Sequence, residues 1–132
     1  MLANKLKIGD TIGVIAPDKA LKNKDIKYLE NAKMKIVTLC GSLKFQKEMM
    51  TVAEKMALDG YCILTPVYPV SDDIKRTKDQ LIKLKEAHFK RIELSDAILV
   101  VNINNYIGES TKLEIDYAKK LGKEILYYSN LI

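Results

Sequence analysis

The chain has 132 residues and 15.0 kDa, a length for one domain or one domain with an appendage. Hydrophobic residues make up 48% and charged residues 30%, which allows a buried core and excludes disorder by composition. The net charge of +5 rests on lysines spread along the chain, with only Arg76 and Arg91 as arginines, so no basic stripe for a nucleic-acid polymer is expected.

In chain order, the first predicted strand covers 11–16 and closes at Pro17, followed by a short helix over 23–33. A second strand covers 35–40 and ends at Gly41-Ser42. Phe45, Met49, Val52, Ala53 and Met56 then recur at spacings of three and four, the buried stripe of a helix that Asp59-Gly60 stops. A strand over 61–64 leads into a loop with Pro66 and Pro69, after which Ser71 or Asp72 is expected to cap a long helix running towards Leu94. The most continuous apolar run, 97–101, reads as a central strand. A helix over 111–121, ended by Gly122, and a strand over 124–128 complete the pattern.

Strands alternating with helices, several of them continuously apolar, predict an α/β three-layer sandwich with a mainly parallel sheet, flavodoxin-like or Rossmann-like. Cys40 closes one strand and Cys62 opens another, so they belong at opposite ends of the sheet and no disulfide between them is expected. No stretch approaches the ~18–20 apolar residues of a membrane span. The start of the chain, Met1-Leu2-Ala3-Asn4-Lys5-Leu6-Lys7, lacks the apolar core of a signal peptide, so a cytoplasmic location is expected. With one histidine, His88, and no Cys/His cluster of zinc spacing, neither a metal nor another cofactor is expected.

Ligands of such sheets bind beyond the carboxyl ends of the strands, which singles out the segments after Cys40, after Leu64 and after Val101. Gly41-Ser42 reads either as a phosphate cradle at a helix start, with Lys44 nearby, or as a tight turn with Ser42 as N-cap. In Gly108-Glu109-Ser110-Thr111-Lys112-Leu113-Glu114, Thr111 and Glu114 fit a capping box. The helical wheel instead turns Glu114 inward with Ala118 and Leu121, where a carboxylate is costly unless paired or functional. His88 lies on the stripe Leu81, Leu84, Ile92 and reads as a satisfied core histidine or an acid–base group. Asp96 is a turn residue or a ligand contact, and Asn102, Asn104 and Asn105 are loop residues or amide contacts. Tyr106 can wall a pocket for a planar ring.

Three stretches carry a family resemblance: Ile36-Val37-Thr38-Leu39-Cys40-Gly41-Ser42, Leu94-Ser95-Asp96-Ala97-Ile98-Leu99-Val100, and Gly108 to Ala118 followed by Gly122-Lys123. Through them, residues 35–132 resemble the nucleoside 2-deoxyribosyltransferase superfamily, including its 2′-deoxynucleoside 5′-phosphate N-hydrolases. The resemblance implies Glu114 as nucleophile and Gly41 and Ser42 as contacts to the sugar or 5′-phosphate. Lys44, Asp96, Asn102, Tyr106, Gly108 and Ser110 are the other expected substrate contacts. His88 stands where members often carry an aspartate, as a candidate proton donor; Asp116 stands where glycine is usual, and Leu43-Lys44 where the hydrolases have further glycines. The start of the chain, Leu6 to Pro17, resembles the opening strand of the LD-carboxypeptidases, whose serine–glutamate–histidine constellation a single histidine cannot rebuild. Residues 1–33 are therefore expected to be a leader of one strand and one helix before a domain over 34–132.

The function expected is cleavage or transfer at the N-glycosidic bond of a nucleoside or nucleoside 5′-monophosphate, with retention through a glycosyl-enzyme. The alternative is a non-catalytic nucleotide-binding or sensing module on the same fold. The expected partners are a small nucleoside or nucleotide and a second copy of the chain as homodimer or higher oligomer, with no membrane.

Overall fold

The structure, a computed structural model, describes residues 34–131, so the expected leader strand and helix lie outside the described residues. Four strands form one sheet: β1 (Ile36–Cys40), β2 (Cys62–Leu64), β3 (Ala97–Val100) and β4 (Glu124–Tyr127). Their order is β2-β1-β3-β4 and every pairing is parallel. Three helices connect them: α1 (Gln46–Leu58), α2 (Lys78–Leu94) and α3 (Glu109–Lys120). Among the described residues, no helix is long and apolar enough to cross a membrane.

Strand alternation explains the layers. In β1, Val37 and Leu39 point to one face, where they meet Ala97, Leu99 and Val101 and the α1 stripe of Met49, Val52, Ala53 and Met56. Cys40, Ile98 and Val100 point to the other face and pack on Ile92 of α2 and on Ile115 and Ala118 of α3. The register pairs Val37 with Ala97 and Leu39 with Leu99, keeping the two sets apart. This is the three-layer α/β architecture expected. Both central strands are buried on both faces, which is why β3 reads as an unbroken apolar run and β1 as one interrupted only by Thr38.

Polar residues fix the edges of this core. The Thr38 hydroxyl donates to the Arg91 carbonyl at 3.1 Å and meets the Ser95 hydroxyl, which itself donates to Arg91 at 2.7 Å. The end of α2 is thereby clamped to β1. Asp96 accepts the Ile36 backbone N–H at 2.8 Å, and Lys35 pairs with Glu124 beside it. On the outer helix layer, Phe89 and Tyr117 stack at 4.7 Å, and the Tyr117 hydroxyl donates to Glu93 at 2.6 Å.

Two helix starts differ from expectation. The long helix is capped by Thr77, not Ser71 or Asp72: Thr77 and Gln80 form a reciprocal capping box at 3.1 and 2.9 Å. Ser71 instead closes a turn by accepting the Asp73 N–H at 3.1 Å. The last helix begins at Glu109 behind Gly108, with no side-chain cap. Thr111 is therefore already inside α3 and buried, so the capping box with Glu114 does not form. At its other end, Leu121 is exposed rather than inward.

Candidate functional site

The strand order reverses between β1 and β3, since β2 lies outside one and β4 outside the other. In open parallel sheets the crevice above that switch point is where ligands sit. A pocket of about 570 Å³ opens there, large enough for a nucleotide-sized molecule. Its floor is Gly41 and Ser42 after β1, with Pro66 and Val67 after β2 on one side. Tyr106, Gly108 and Ser110 close the side after β3, and α2 supplies the facing wall through Leu84, Lys85 and His88.

Glu114 is part of the same lining. It is the sixth residue of α3, its side chain is only 16% exposed, and its Oε1 is buried without a hydrogen-bond partner. Loss of hydration pushes its carboxyl up to about 7, with the Cys40 thiol drawing it partly back. His88 Nε2 lies 3.7 Å from Glu114 Oε1 and 3.7 Å from Cys40 Sγ. Burial, reinforced by the Arg91 charge and opposed by a backbone contact at Leu39, holds the imidazole down at about 4. Burial, reinforced by Glu114, pushes the Cys40 thiol well up. At neutral pH His88 and Cys40 are therefore uncharged, and Glu114 holds its proton to higher pH than an ordinary glutamate.

The tautomer of His88 follows from its neighbours. Arg91 Nη1 is 3.4 Å from Nδ1, and a guanidinium can only donate. The ring proton then sits on Nε2 and faces Glu114 and Cys40.

The other expected members divide. Gly41, Ser42, Tyr106, Gly108 and Ser110 line the pocket with Glu114 and His88. Gly41 has a packing reason of its own: a Cβ there would stand 3.2 Å from both Met49 Sδ and the Val101 carbonyl oxygen. Ser42 Oγ accepts the Lys44 N–H at 3.4 Å and caps the 3-10 turn Leu43–Phe45. The Tyr106 ring meets Phe45 edge-on at 5.9 Å and carries Lys44 Nζ over its face at 3.5 Å.

Lys44, Asp96 and Asn102 stand elsewhere. Lys44 lies on the Tyr106 ring rather than in the pocket lining. Asp96 binds the Ile36 amide at the amino end of the sheet, the end away from the pocket. Asn102 ties the loop after β3 to the chain after β4, donating to Ser129 Oγ and accepting its N–H, both at 3.0 Å. Asn104 and Asn105 have φ of 53° and 61°, a left-handed backbone that asparagine tolerates, so they shape the turn.

Three cations without a motif signature in the sequence, Arg76, Lys85 and Arg91, also line the pocket. Lys85 and Arg91 lie three residues to either side of His88, on the helix face that carries it. Arg76 comes from the segment before α2. Among the described residues none of the three forms an ion pair with a carboxylate, so the mouth favours an anionic ligand.

Fold and pocket together define an α/β protein of the Rossmann or flavodoxin-like kind, with a buried carboxylate at its ligand edge. Among solved structures, the chain is similar to a 2-desoxiribosyltransferase from Leishmania mexicana, with a TM-score of 0.53 and 20% identity over 71% of this chain. The match covers 63% of that structure's chain, and at this identity the likeness shows the fold. No protein-family model matches the chain, and no curated protein matches it.

Proposed function

We propose that the protein breaks or transfers the N-glycosidic bond of a nucleoside or nucleoside 5′-monophosphate, with Glu114 as nucleophile. The observation that carries this reading is the buried carboxylate oxygen of Glu114, without a hydrogen-bond partner, in the lining of a nucleotide-sized pocket. The ionised carboxylate attacks the anomeric carbon, the glycosidic bond breaks, and its electron pair leaves with the base. The base takes its proton from the pocket mouth, where Ser110 and Tyr106 present hydroxyls. Water or a second base then displaces Glu114 from the sugar and returns its proton to the hydroxyl that lost one, giving hydrolysis or transfer with Glu114 restored as carboxylate.

In this scheme His88 is a positioning residue. Its Nε2–H faces the carboxylate and closes on it as charge is restored at the end of the reaction. Because the Glu114 carboxyl is held at about 7, turnover rises with pH through neutrality. Arg76 and Lys85 draw the anionic end of a 5′-monophosphate towards Gly41 and Ser42.

The test is a panel of deoxynucleosides and their 5′-monophosphates, with free base read by chromatography. Release from at least one of them is expected. Binding of a monophosphate with no base released would overturn the enzyme reading and leave a nucleotide-sensing module.

A further inference from the structure

Cys40 ends β1, His88 sits three turns into α2 and Glu114 lies in the second turn of α3, yet their donor atoms all lie within 4.8 Å of one another. Strand parity brings them together: Cys40 points to the sheet face that α2 and α3 cover. We propose that Cys40 Sγ, His88 Nε2 and Glu114 Oε1 form a three-ligand site for a borderline-soft divalent ion such as Zn²⁺, with its fourth position open to the pocket.

The distances fit. Zinc takes sulfur at about 2.3 Å and nitrogen or oxygen at about 2.0–2.2 Å, so a tetrahedral site needs S···N of roughly 3.6 Å and N···O of roughly 3.4 Å. The structure has 3.7 Å for both pairs. The third pair, sulfur and carboxylate oxygen, lies within 4.8 Å and has to close to roughly 3.6 Å on coordination. The donor set of one thiolate, one imidazole and one carboxylate selects zinc or a similar transition metal over magnesium or calcium, which prefer oxygen alone. Coordination also gives Glu114 Oε1 the partner it lacks.

Binding displaces the Cys40 thiol proton and whatever proton Glu114 holds, which pass to solvent. It takes the Nε2 lone pair and leaves the ring proton on Nδ1, so the Arg91 contact to Nδ1 must give way. On the reading of Glu114 as nucleophile, an occupied site is an inhibited enzyme, because the metal holds the oxygen that attacks.

The experiment is titration of the full chain with Co²⁺ followed by Zn²⁺ back-titration. One equivalent of Co²⁺ should give the near-ultraviolet thiolate charge-transfer band and the intense visible bands of a four-coordinate ion, and Zn²⁺ should erase both. Cys62→Ser should behave as wild type, while Cys40→Ser should lose the charge-transfer band and bind zinc about a hundredfold or more weakly. Glu114→Gln, a milder change at the pocket end, should weaken zinc similarly and covers the case in which Cys40→Ser fails to fold. A cobalt spectrum that survives in Cys40→Ser, disappears in Cys62→Ser, or never forms in wild type overturns the proposal. Zinc inhibition of base release is a separate readout: a failed cobalt titration leaves the nucleophile reading untouched, and absent turnover leaves the metal site testable.

Discussion

Glu114, His88 and Cys40 show how burial assigns protonation. A neutral imidazole beside a carboxyl held near 7 has reversed the ordinary order of the two groups, whose usual values are 6.5 and 4.5. Glu114 binds more protons folded than unfolded between about pH 4.5 and 7, so it lowers stability as pH rises through that window. His88 binds fewer folded than unfolded between about 4 and 6.5, so it raises stability over its own window. In the wild type the two slopes largely cancel. Relative to wild type, Glu114→Gln should gain stability as pH rises from 4.5 to 7, and His88→Asn should lose it from 4 to 6.5. Each slope should be at most about 1.4 kcal/mol per pH unit. Urea denaturation across that range, with a chelator present, reads both; variants whose curves parallel wild type would contradict the assignment.

The inward turn of Glu114 was legible from the helical wheel. Its meeting with His88 was not, because their contact depends on how α2 and α3 lie on one sheet face. The Cys40–His88–Glu114 cluster escaped a search for zinc spacing for the same reason: its members come from three elements, with 48 positions between Cys40 and His88 alone. Gly41 was legible as a ligand-edge glycine, but Met49 and the Val101 carbonyl that press on it belong to distant segments. Gly41→Ala should therefore cost roughly 1–3 kcal/mol in chemical denaturation even without ligand. An unchanged midpoint would mean that the glycine serves only the ligand.

At the scale of elements, strands and helices were readable from periodicity, while helix starts were not. Ser71 and Asp72 are good caps by residue type, but Ser71 is already used in a turn, accepting the Asp73 N–H, and α2 begins only at Lys78. Thr77 and Gln80 carry the same capping signature and lie where the turn can close. Thr77→Ala should lower stability by about 1 kcal/mol, whereas Ser71→Ala should change it by a few tenths at most. Comparable losses in the two variants would contradict the observed helix start. For α3, the Thr111–Glu114 capping pattern matched the sequence rule, but Gly108 sets the helix start three residues earlier than the rule requires, freeing Glu114 for the pocket.

On the scale of the whole molecule, every described residue lining the main pocket lies between Gly41 and Glu114. A chain beginning at Met34 should therefore keep the ligand affinity of the full chain within about threefold. Isothermal titration with a deoxynucleoside 5′-monophosphate tests this, and a large loss of affinity would place part of the leader in the site. The parallel sheet and its ligand edge were legible because β3 is an unbroken apolar run and β1 is apolar but for Thr38. The cationic wall was not, since Arg76, Lys85 and Arg91 converge only once α2 packs across the crevice. Glu114→Gln tests the nucleophile most directly because it keeps the side chain's shape and removes its charge. Base release and monophosphate binding should be measured on that variant beside wild type. Turnover should fall by at least about a thousandfold, ~4 kcal/mol of transition-state stabilisation, while binding stays within about threefold. Turnover that survives Glu114→Gln would contradict the mechanism.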